Sequence, residues 1–426
     1  MFWIVENDKQ LELFSRLKYE KVFLEPILAN DNIHPALNRV IAIYIKGLGS
    51  HKGYMLCLDH SETTSCSNFK LDYDEIYVRN KKLCTYFFDT RKFKDVHFIR
   101  DVSIDITTPA HTHLNAKYAR KSDVNRIIPI VKHYERCESI YKEVEGILSE
   151  TLPSSFDFYN RISTNCFYWI EKNGLGVDKR LLKEKLELNE DIYSLNGKSI
   201  YSQYNLYTTT KRPSNSFNGI NYAALNKDNG ARRTFVPKND DLVEIDISAY
   251  HPTLIANLIG YKFEEEDIHQ HFADLYGVSY KESKELTFKQ LYGGVFKEYS
   301  HIEFFKKTKK YINKLHQEYN ENGYIEVPIS GYRFEKEKLG NIGAQKLFNY
   351  LLQNLETANN VRILVDIIRI LKNAKTNLIL YTYDAFLFDR SNTEKDVFSM
   401  IMDVFNKRNL NIKVSYGKDY DSLQRA

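Results

Sequence analysis

Two aspartates stand within apolar, β-branched and aromatic segments of this 426-residue chain. Asp246 lies in the run Asp241–His251, and Asp384 lies in the run Leu378–Phe388. Such runs are typical of buried β-strands. A carboxylate there is costly unless a positive group meets it. Two carboxylates that meet on one sheet would bind hard cations such as Mg²⁺, and paired Mg²⁺ ions suit phosphoryl transfer.

A third segment, between these two, offers groups of a complementary kind. Lys284, Phe288 and Tyr292 are spaced four residues apart, so on a helix they share one face. The glycines at 293 and 294 then end the helix. That face would present a cation to phosphates and two rings to a base. The alternatives are a solvated lysine and an aromatic stripe that faces the core.

In this order, the three segments resemble motifs of the family A DNA polymerases, which are similar to bacterial DNA polymerase I. The main matches are Asp246-Ile247-Ser248 with the first motif, Lys284 to Gly293 with the fingers-helix motif, and Tyr383-Asp384-Ala385 with the family's His-Asp-Glu. Weaker matches in the same order are Ile170–Gly174, Thr210–Arg212, Asp267–His269, Asn349 with Gln353, and Tyr416–Tyr420. The resemblance covers about residues 165–426.

The resemblance implies an α+β and α/β multidomain chain, a right-hand polymerase with palm, fingers and a reduced thumb. The order of strand-like segments at 22–25, 40–45 and 54–58 resembles an N-terminal RNase H-like domain of exonuclease type. The predicted divisions are an exonuclease-like domain at 1–120, a helical connector and short thumb at 121–211, the palm at 212–262 and 350–426, and the fingers at 263–349. An unrelated α/β domain is the alternative for the N-terminal part.

The N-terminal domain is expected to lack proofreading activity. The family's exonuclease needs an Asp-x-Glu pair on its first strand, and the corresponding place reads Leu24-Glu25-Pro26. Glu25 would point to the opposite side of the strand from a correctly placed carboxylate. Asp89 and Asp105 are candidate relics of the other acidic positions.

The thumb is expected to be small, because the interval between Glu171 and Arg212 is shorter than in larger members of the family. A small thumb would contact few phosphates, which predicts weak, salt-sensitive and poorly processive DNA binding. A processivity factor is therefore a candidate partner.

The resemblance also carries metal and nucleotide roles to matching residues. Asp246 and Asp384 would bridge two Mg²⁺ ions, with Mn²⁺ as a candidate substitute and the backbone carbonyl of Ile247 as a further ligand. Lys284 and His269 would neutralise the triphosphate of a dNTP. Phe288 would stack on the incoming base or sugar, and Tyr292 would lie near the templating base. For His269, a plain position at a helix start is the alternative.

Other residues are candidates for contacts with primer–template DNA. They are Arg212 at the primer terminus, Asn218 and Asn221 in a turn-rich loop, and Asn349 and Gln353 on the template side. A simple loop and a buried, satisfied Asn/Gln pair are the alternatives. The run Lys306–Lys310 is a further candidate for phosphate contacts, and a solvated helix face is its alternative.

Three positions depart from the family pattern. His251 stands where the family has a glutamate that helps to exclude the ribose 2′-hydroxyl, so exclusion of ribonucleotides is in question. Ala385 replaces a glutamate beside the second aspartate, and Asp389 is expected to be too far along the chain to replace it. Tyr280 or Lys281 stands where the family has an arginine one turn before the lysine, so that contact is altered or supplied by another residue.

Composition adds few constraints. The net charge of +4 is only mildly basic, so a nucleic-acid groove would depend on where the charges lie. Five cysteines without a CxxC pair argue against a zinc site or a disulfide framework, and for a reducing compartment. Neither a signal peptide nor a transmembrane run is visible, which predicts a soluble protein in the cytoplasm, or in the host cytoplasm if the chain is viral. A monomer is the expected state for a polymerase of this shape.

The leading interpretation is a DNA-templated DNA polymerase that adds dNTPs to a primer 3′-hydroxyl, in replication or repair for a phage, plasmid or mobile element. Two alternatives stay open. One is a polymerase of the same fold that uses ribonucleotides or an RNA template, which His251 motivates. The other is a non-catalytic DNA-binding scaffold, which Ala385 and the missing exonuclease carboxylates motivate.

Overall fold

A computed structural model of the chain describes residues 3–30, 34–67, 69–100, 128–186, 199–215, 220–226, 228–265 and 267–425. The described residues form two compact units. The first unit draws on the ranges 1–207, 214–238 and 419–421, and the second on 208–213, 239–418 and 422–426. The finer division into five segments stays a prediction.

Strands and helices are mixed along the described part of the chain. The strands are β1 (Ile4–Val5), β2 (Lys21–Leu28), β3 (Val40–Gly47), β4 (Gly53–Cys57), β5 (Glu75–Val78), β6 (Phe93–Asp95), β7 (Leu175–Val177), β8 (Ser199–Ile200), β9 (Phe235–Val236), β10 (Asp241–Ile247), β11 (Tyr324–Glu326), β12 (Arg333–Glu335), β13 (Asn377–Thr382), β14 (Ala385–Arg390), β15 (Ile412–Gly417) and β16 (Gln424–Arg425).

The two longest helices of the described residues lie in the second unit. The helices are α1 (Asp8–Ser15), α2 (Lys81–Cys84), α3 (Val96–Ile99), α4 (Ile130–Val144), α5 (Thr164–Asn173), α6 (Lys179–Leu186), α7 (Tyr250–Ile259), α8 (Ile268–Tyr276), α9 (Tyr280–Gly293), α10 (Glu303–Asn322), α11 (Lys336–Leu339), α12 (Ala344–Leu371) and α13 (Lys395–Asn406). Within the described part of the chain, none of them combines the length and apolarity that crossing a membrane requires.

The first unit is built on a six-stranded sheet with the order β1-β4-β3-β2-β5-β6. Strand β3 is antiparallel to its neighbours β2 and β4, whereas β1 runs parallel to β4, β5 parallel to β2 and β6 parallel to β5. Apolar side chains such as Val22, Leu24 and Ile45 lie in one buried cluster on this sheet. The three N-terminal strand predictions are therefore confirmed as strands.

The second unit is built on an antiparallel five-stranded sheet with the order β13-β14-β10-β15-β16. Its central strand, β10, is the predicted strand around Asp246. The run Leu378–Phe388 is a hairpin rather than one continuous strand, because a turn at Tyr383 and Asp384 separates β13 from β14. Asp384 therefore lies at the hairpin tip.

The predicted helix that carries Lys284, Phe288 and Tyr292 is confirmed in the second unit. Helix α9 begins after Ser279, which forms a reciprocal capping box with Glu282, and ends at Gly293. Gly294 follows with φ 103°, a conformation that suits glycine at a helix end. Strands β11 and β12 form an antiparallel pair at 324–335.

Candidate functional site

The sheet of the second unit brings the two predicted metal-binding aspartates together. In the register of β10 and β14, Asp246 pairs with Ala385, the residue directly after Asp384. The backbone N–H of Ile247 donates to the carbonyl oxygen of Asp384 at 2.9 Å. Asp246 is half-buried, and Asp384 is exposed at the hairpin tip. Residues 138 positions apart in sequence number therefore meet on two neighbouring strands.

The two carboxylates repel each other. Although the Asp384 side chain reaches solvent, the pKa of its carboxyl is raised to about 6. The causes are desolvation by neighbouring protein atoms, the charge of Asp246 and the charge of Glu356. A cation between the carboxylates would relieve this repulsion. Within the described part of the chain, no group of three or more His, Cys, Asp or Glu side chains is arranged to hold a metal ion. The fit to Mg²⁺ thus depends on two carboxylates and backbone oxygens.

The predicted cation Lys284 lies within electrostatic reach of Asp246. Burial and the charge of Lys413 lower the pKa of Lys284, while Asp267 and Asp246 oppose that change. The ammonium lies 4.8 Å from the ring centroid of Tyr280, whose hydroxyl donates to Asp267 at 3.2 Å. Tyr280 therefore contacts both the lysine and Asp267 without adding a charge.

His269 is buried at the start of α8. The Asp267 side chain caps this helix and accepts from the N–H of His269 at 2.9 Å. Burial and the charges of Lys284 and Lys413 lower the pKa of His269 to about 4. Among the described residues, its Nδ1 has no hydrogen-bond partner. At neutral pH His269 would therefore offer a neutral imidazole, not the cation that the sequence suggested.

The two predicted rings of α9 are exposed. Phe288 is 44% exposed and Tyr292 is 37% exposed, so this stripe does not face the core. Their rings are parallel, with an interplanar angle of 4° and centroids 6.1 Å apart. Parallel exposed rings suit a stacking platform for a base.

The far end of this platform is anchored through His251. The Tyr292 hydroxyl hydrogen-bonds with His251 Nδ1. His251 Nε2 lies 3.0 Å from Glu356 Oε2, and a carboxylate only accepts, so Nε2 carries a proton. In the neutral ring, Nδ1 then accepts from Tyr292. Burial, with the charges of Glu356 and Asp384, raises the pKa of Tyr292, which keeps its hydroxyl protonated.

Glu356, which the sequence interpretation missed, also pairs with Arg212. An Arg212 Nη2 lies 3.2 Å from Glu356 Oε2. The guanidinium carbon lies 3.6 Å from the ring centroid of Tyr383, at the tip that carries Asp384. Tyr383 has φ 65°, which is unusual for a residue with a side chain. Residues in such conformations cluster at functional sites.

Helix α12 holds this arrangement with polar groups on an otherwise apolar, buried helix. Gln353 Oε1 accepts from the Thr210 hydroxyl at 3.1 Å, and Asn354 donates to the Thr210 carbonyl oxygen at 2.9 Å. Asn360 donates to the carbonyl oxygen of Tyr383 at 2.7 Å. The segment at 208–213 and the hairpin tip are therefore docked on one helix.

The remaining candidates for DNA contacts lie in different parts of the structure. Asn349 is half-buried and donates to the carbonyl oxygen of Tyr292 at 3.4 Å. Asn221 is exposed and belongs to the first unit, while Asn218 lies outside the described residues. The lysines at 306, 309 and 310 are exposed on α10, as a solvated face would also be.

The acidic residues of the first unit have other partners. Glu25 on β2 forms a two-pronged ion pair with the buried Arg79. Asp89 is exposed and pairs with Arg91. Asp105 lies outside the described residues. In the second unit, Asp389 is buried and accepts from the N–H of Asn239 at 2.9 Å, so it is engaged away from Asp384.

Comparison with known proteins gives a likeness of fold. No protein-family model and no curated protein matches the sequence. Among solved structures, the chain is similar to the POL domain of Pol1 from M. smegmatis, in complex with DNA primer-template and dNTP. The TM-score is 0.68 at 12% identity, and the match covers 99% of this chain and 100% of that chain. The chain therefore has the mixed α+β fold of a polymerase domain.

Proposed function

We propose that this protein is a DNA-templated DNA polymerase that transfers dNTPs to a primer 3′-hydroxyl. The observation that carries the proposal is that Asp246 and Asp384 lie side by side at neighbouring strands. Lys284 is close enough for the charge of Asp246 to influence the pKa of its ammonium. Carboxylates beside a cation suit metal-assisted transfer from a triphosphate. The fold similarity to a polymerase domain bound to primer-template and dNTP supports this choice.

Each residue group would have a separate task. Asp246, Asp384 and the carbonyl of Ile247 would hold two Mg²⁺ ions, which would activate the primer hydroxyl and balance phosphate charge when bound. Lys284 would bind the triphosphate, with His269 as a neutral donor. Phe288 and Tyr292 would stack against bases, while Arg212 would reach the primer terminus and Asn349 and Gln353 the template side.

The same proposal excludes proofreading by the first unit. Its support is the ion pair between Glu25 and Arg79, because a carboxylate already neutralised by a buried guanidinium is a poor metal ligand. The sheet order, with three antiparallel strands followed by two parallel ones, supports an RNase H-like origin for this unit.

A same-fold polymerase that uses ribonucleotides is the second candidate. The observation that favours it is His251, which bonds to Tyr292 and Glu356 instead of presenting a carboxylate of its own. Comparing incorporation of dNTPs and NTPs on DNA and RNA templates decides between the two. A strong preference for NTPs would overturn the first proposal.

Primer extension with Mg²⁺ and dNTPs tests the main proposal. We expect extension by the wild type and a loss of about 10³-fold or more in Asp246→Ala and Asp384→Ala, because each removes a metal ligand. Asp403→Ala, which alters an exposed aspartate of α13, is the control and should extend normally. If the folded wild type extends no primer with Mg²⁺ or Mn²⁺ and either nucleotide type, the polymerase proposal fails and the scaffold alternative takes its place.

A further inference from the structure

Lys413 is a second lysine at this site, opposite Asp246, and none of the roles proposed above uses it. The register of β10 and β15 pairs Lys413 directly with Asp246. Directly opposed residues of an antiparallel pair project from the same face, with Cβ atoms about 4.5–5.5 Å apart. Lys413 therefore stands on the face of the sheet that carries the Asp246 carboxylate.

Lys413 is also within electrostatic reach of the two other basic groups. After burial, its charge is the main cause that lowers the pKa of Lys284. It also contributes, after burial and Lys284, to the lowering of the pKa of His269 to about 4. Lys284 therefore lies within electrostatic reach of Lys413, His269 and Asp246.

The ammonium of Lys413 is not neutralised by an ion pair within the described part of the chain. Among the described residues, no carboxylate forms an ion pair with Lys413, whereas Lys418 on the loop that follows β15 pairs with Asp241 at 2.7 Å. Lys413 and Lys284 therefore repel each other across this region. A multivalent anion placed between them would remove that repulsion and would meet donors from two separate elements.

We propose that Lys413 binds the triphosphate of the incoming nucleotide, jointly with Lys284 and His269. The inference rests on the proposed function, since it takes a nucleoside triphosphate as the substrate. Lys284 and His269 approach from α9 and α8, and Lys413 approaches from the sheet. The anion would thus be held between the helices and the strand that carries Asp246, next to the candidate metal ligands.

Single-nucleotide incorporation by Lys413→Gln, Lys413→Arg and wild type tests the proposal. Lys413→Gln should raise KM for dNTP about tenfold, because a charged hydrogen bond to phosphate is lost, while kcat changes less. Lys413→Arg should stay within about threefold of the wild type, because the charge is retained. The matched control is Lys407→Gln, an exposed lysine after α13, which should leave KM unchanged.

Two binding measurements separate the outcomes. Without nucleotide, Lys413→Gln should bind labelled primer–template as tightly as the wild type, whereas a phosphate-contact role on DNA would raise Kd and overturn the proposal. Binding of inorganic tripolyphosphate, measured by calorimetry without DNA, should weaken about tenfold in Lys413→Gln. If that weakening occurs in a protein that extends no primer, the anion site stands and the polymerase function fails. If extension occurs with unchanged KM and tripolyphosphate binding, the proposal for Lys413 fails.

Discussion

Glu356 accepts a hydrogen bond from Nε2 of His251 at 3.0 Å, in a place where only 1% of the glutamate is exposed. Arg212 approaches the same carboxylate at 3.2 Å. The helix α12 therefore presents one buried acid to two basic side chains. Through them Glu356 influences both ends of the site, because His251 bonds to Tyr292 and Arg212 lies over Tyr383.

Replacement of Glu356 should destabilise the second unit. Glu356→Ala leaves the buried His251 and the partly buried Arg212 without their acid, and removal of one partner of a buried ion pair typically costs about 3–5 kcal/mol. Because Arg212 is partly exposed, we expect about 3 kcal/mol in the free energy of unfolding, measured with urea. Glu318→Ala is the control, since its pairing with Lys314 is on the surface, and it should cost under about 0.5 kcal/mol. Equal effects of the two substitutions would contradict the role of Glu356.

His251 should influence the choice between deoxyribose and ribose. His251→Ala removes the bulk that the hydrogen bonds to Glu356 and Tyr292 hold in place. We expect the ratio of kcat/KM for dNTP over NTP to fall about tenfold, which corresponds to about 1.4 kcal/mol. Tyr292→Phe keeps the ring that stacks on Phe288 and loses only the hydrogen bond to His251. It should therefore change the ratio of kcat/KM for dNTP over NTP less than His251→Ala does. An unchanged ratio in His251→Ala would remove His251 from sugar selection.

Phe288 should contribute binding energy for the incoming nucleotide. Stacking of a base on an aromatic ring is worth about 1–3 kcal/mol, so Phe288→Ala should raise KM for dNTP about 10-fold to 100-fold. The exposure of the ring predicts little effect on thermal stability. The control is Phe296→Ala, another exposed phenylalanine of the second unit that lies outside α9. If both substitutions raise KM equally, the effect does not come from stacking at Phe288.

The raised pKa of Asp384 predicts a pH-dependent stability. The folded pKa of about 6 exceeds the ordinary value of 3.8, so the folded state binds this proton more tightly than the unfolded chain does. The contribution of Asp384 to stability therefore grows as pH falls from about 6 towards about 4, and is absent above that range. Without divalent cations, Asp384→Asn should raise the melting temperature near neutral pH, and this gain should shrink below about pH 5.

Mg²⁺ provides the check on that explanation. Its binding should stabilise the wild type more than Asp384→Asn, because the substitution removes both the repulsion and a ligand. Asp403→Asn, at an exposed site, should behave like the wild type at every pH. A gain from Asp384→Asn that is independent of both pH and Mg²⁺ would show that the repulsion is not its cause.

The pair of Glu25 and Arg79 predicts that the first unit does not shorten a primer. A 5′-labelled primer on a template, incubated with Mg²⁺ and no nucleotide, should keep its length, and Glu25→Gln should give the same result. Arg79→Ala should cost about 3 kcal/mol of stability, because Glu25 then lacks its partner in a buried place. Primer shortening that disappears in Glu25→Gln would reveal a working nuclease.

Patterns within single elements could be predicted from the sequence. The four-residue spacing of Lys284, Phe288 and Tyr292 predicted helix α9, and the glycines marked its end. The apolar run around Asp246 predicted β10. These features depend on side-chain periodicity and on backbone preferences, which neighbouring residues decide.

Contacts between distant elements could not be predicted in the same way. Glutamates in helices usually face solvent. The only sign in the sequence that Glu356 is buried was that polar residues interrupt an otherwise apolar helix. Lys413 lies opposite Asp246 because of the register between β10 and β15. A shift of one residue in this register would have placed Lys413 on the other face of the sheet. The turn at Tyr383 was hidden in an apolar run without a glycine.

The sequence by itself determined the local elements and identified the two aspartates as candidate functional residues. A carboxylate on a buried strand requires a compensating charge in any fold. Only the tertiary structure decided which charges meet. Strand pairing placed Ala385 and Lys413 beside Asp246, and the packing of α12 joined Glu356 to His251 and Arg212. Electrostatic coupling falls with distance, so chemistry at this site depends on separations that no linear order of residues specifies.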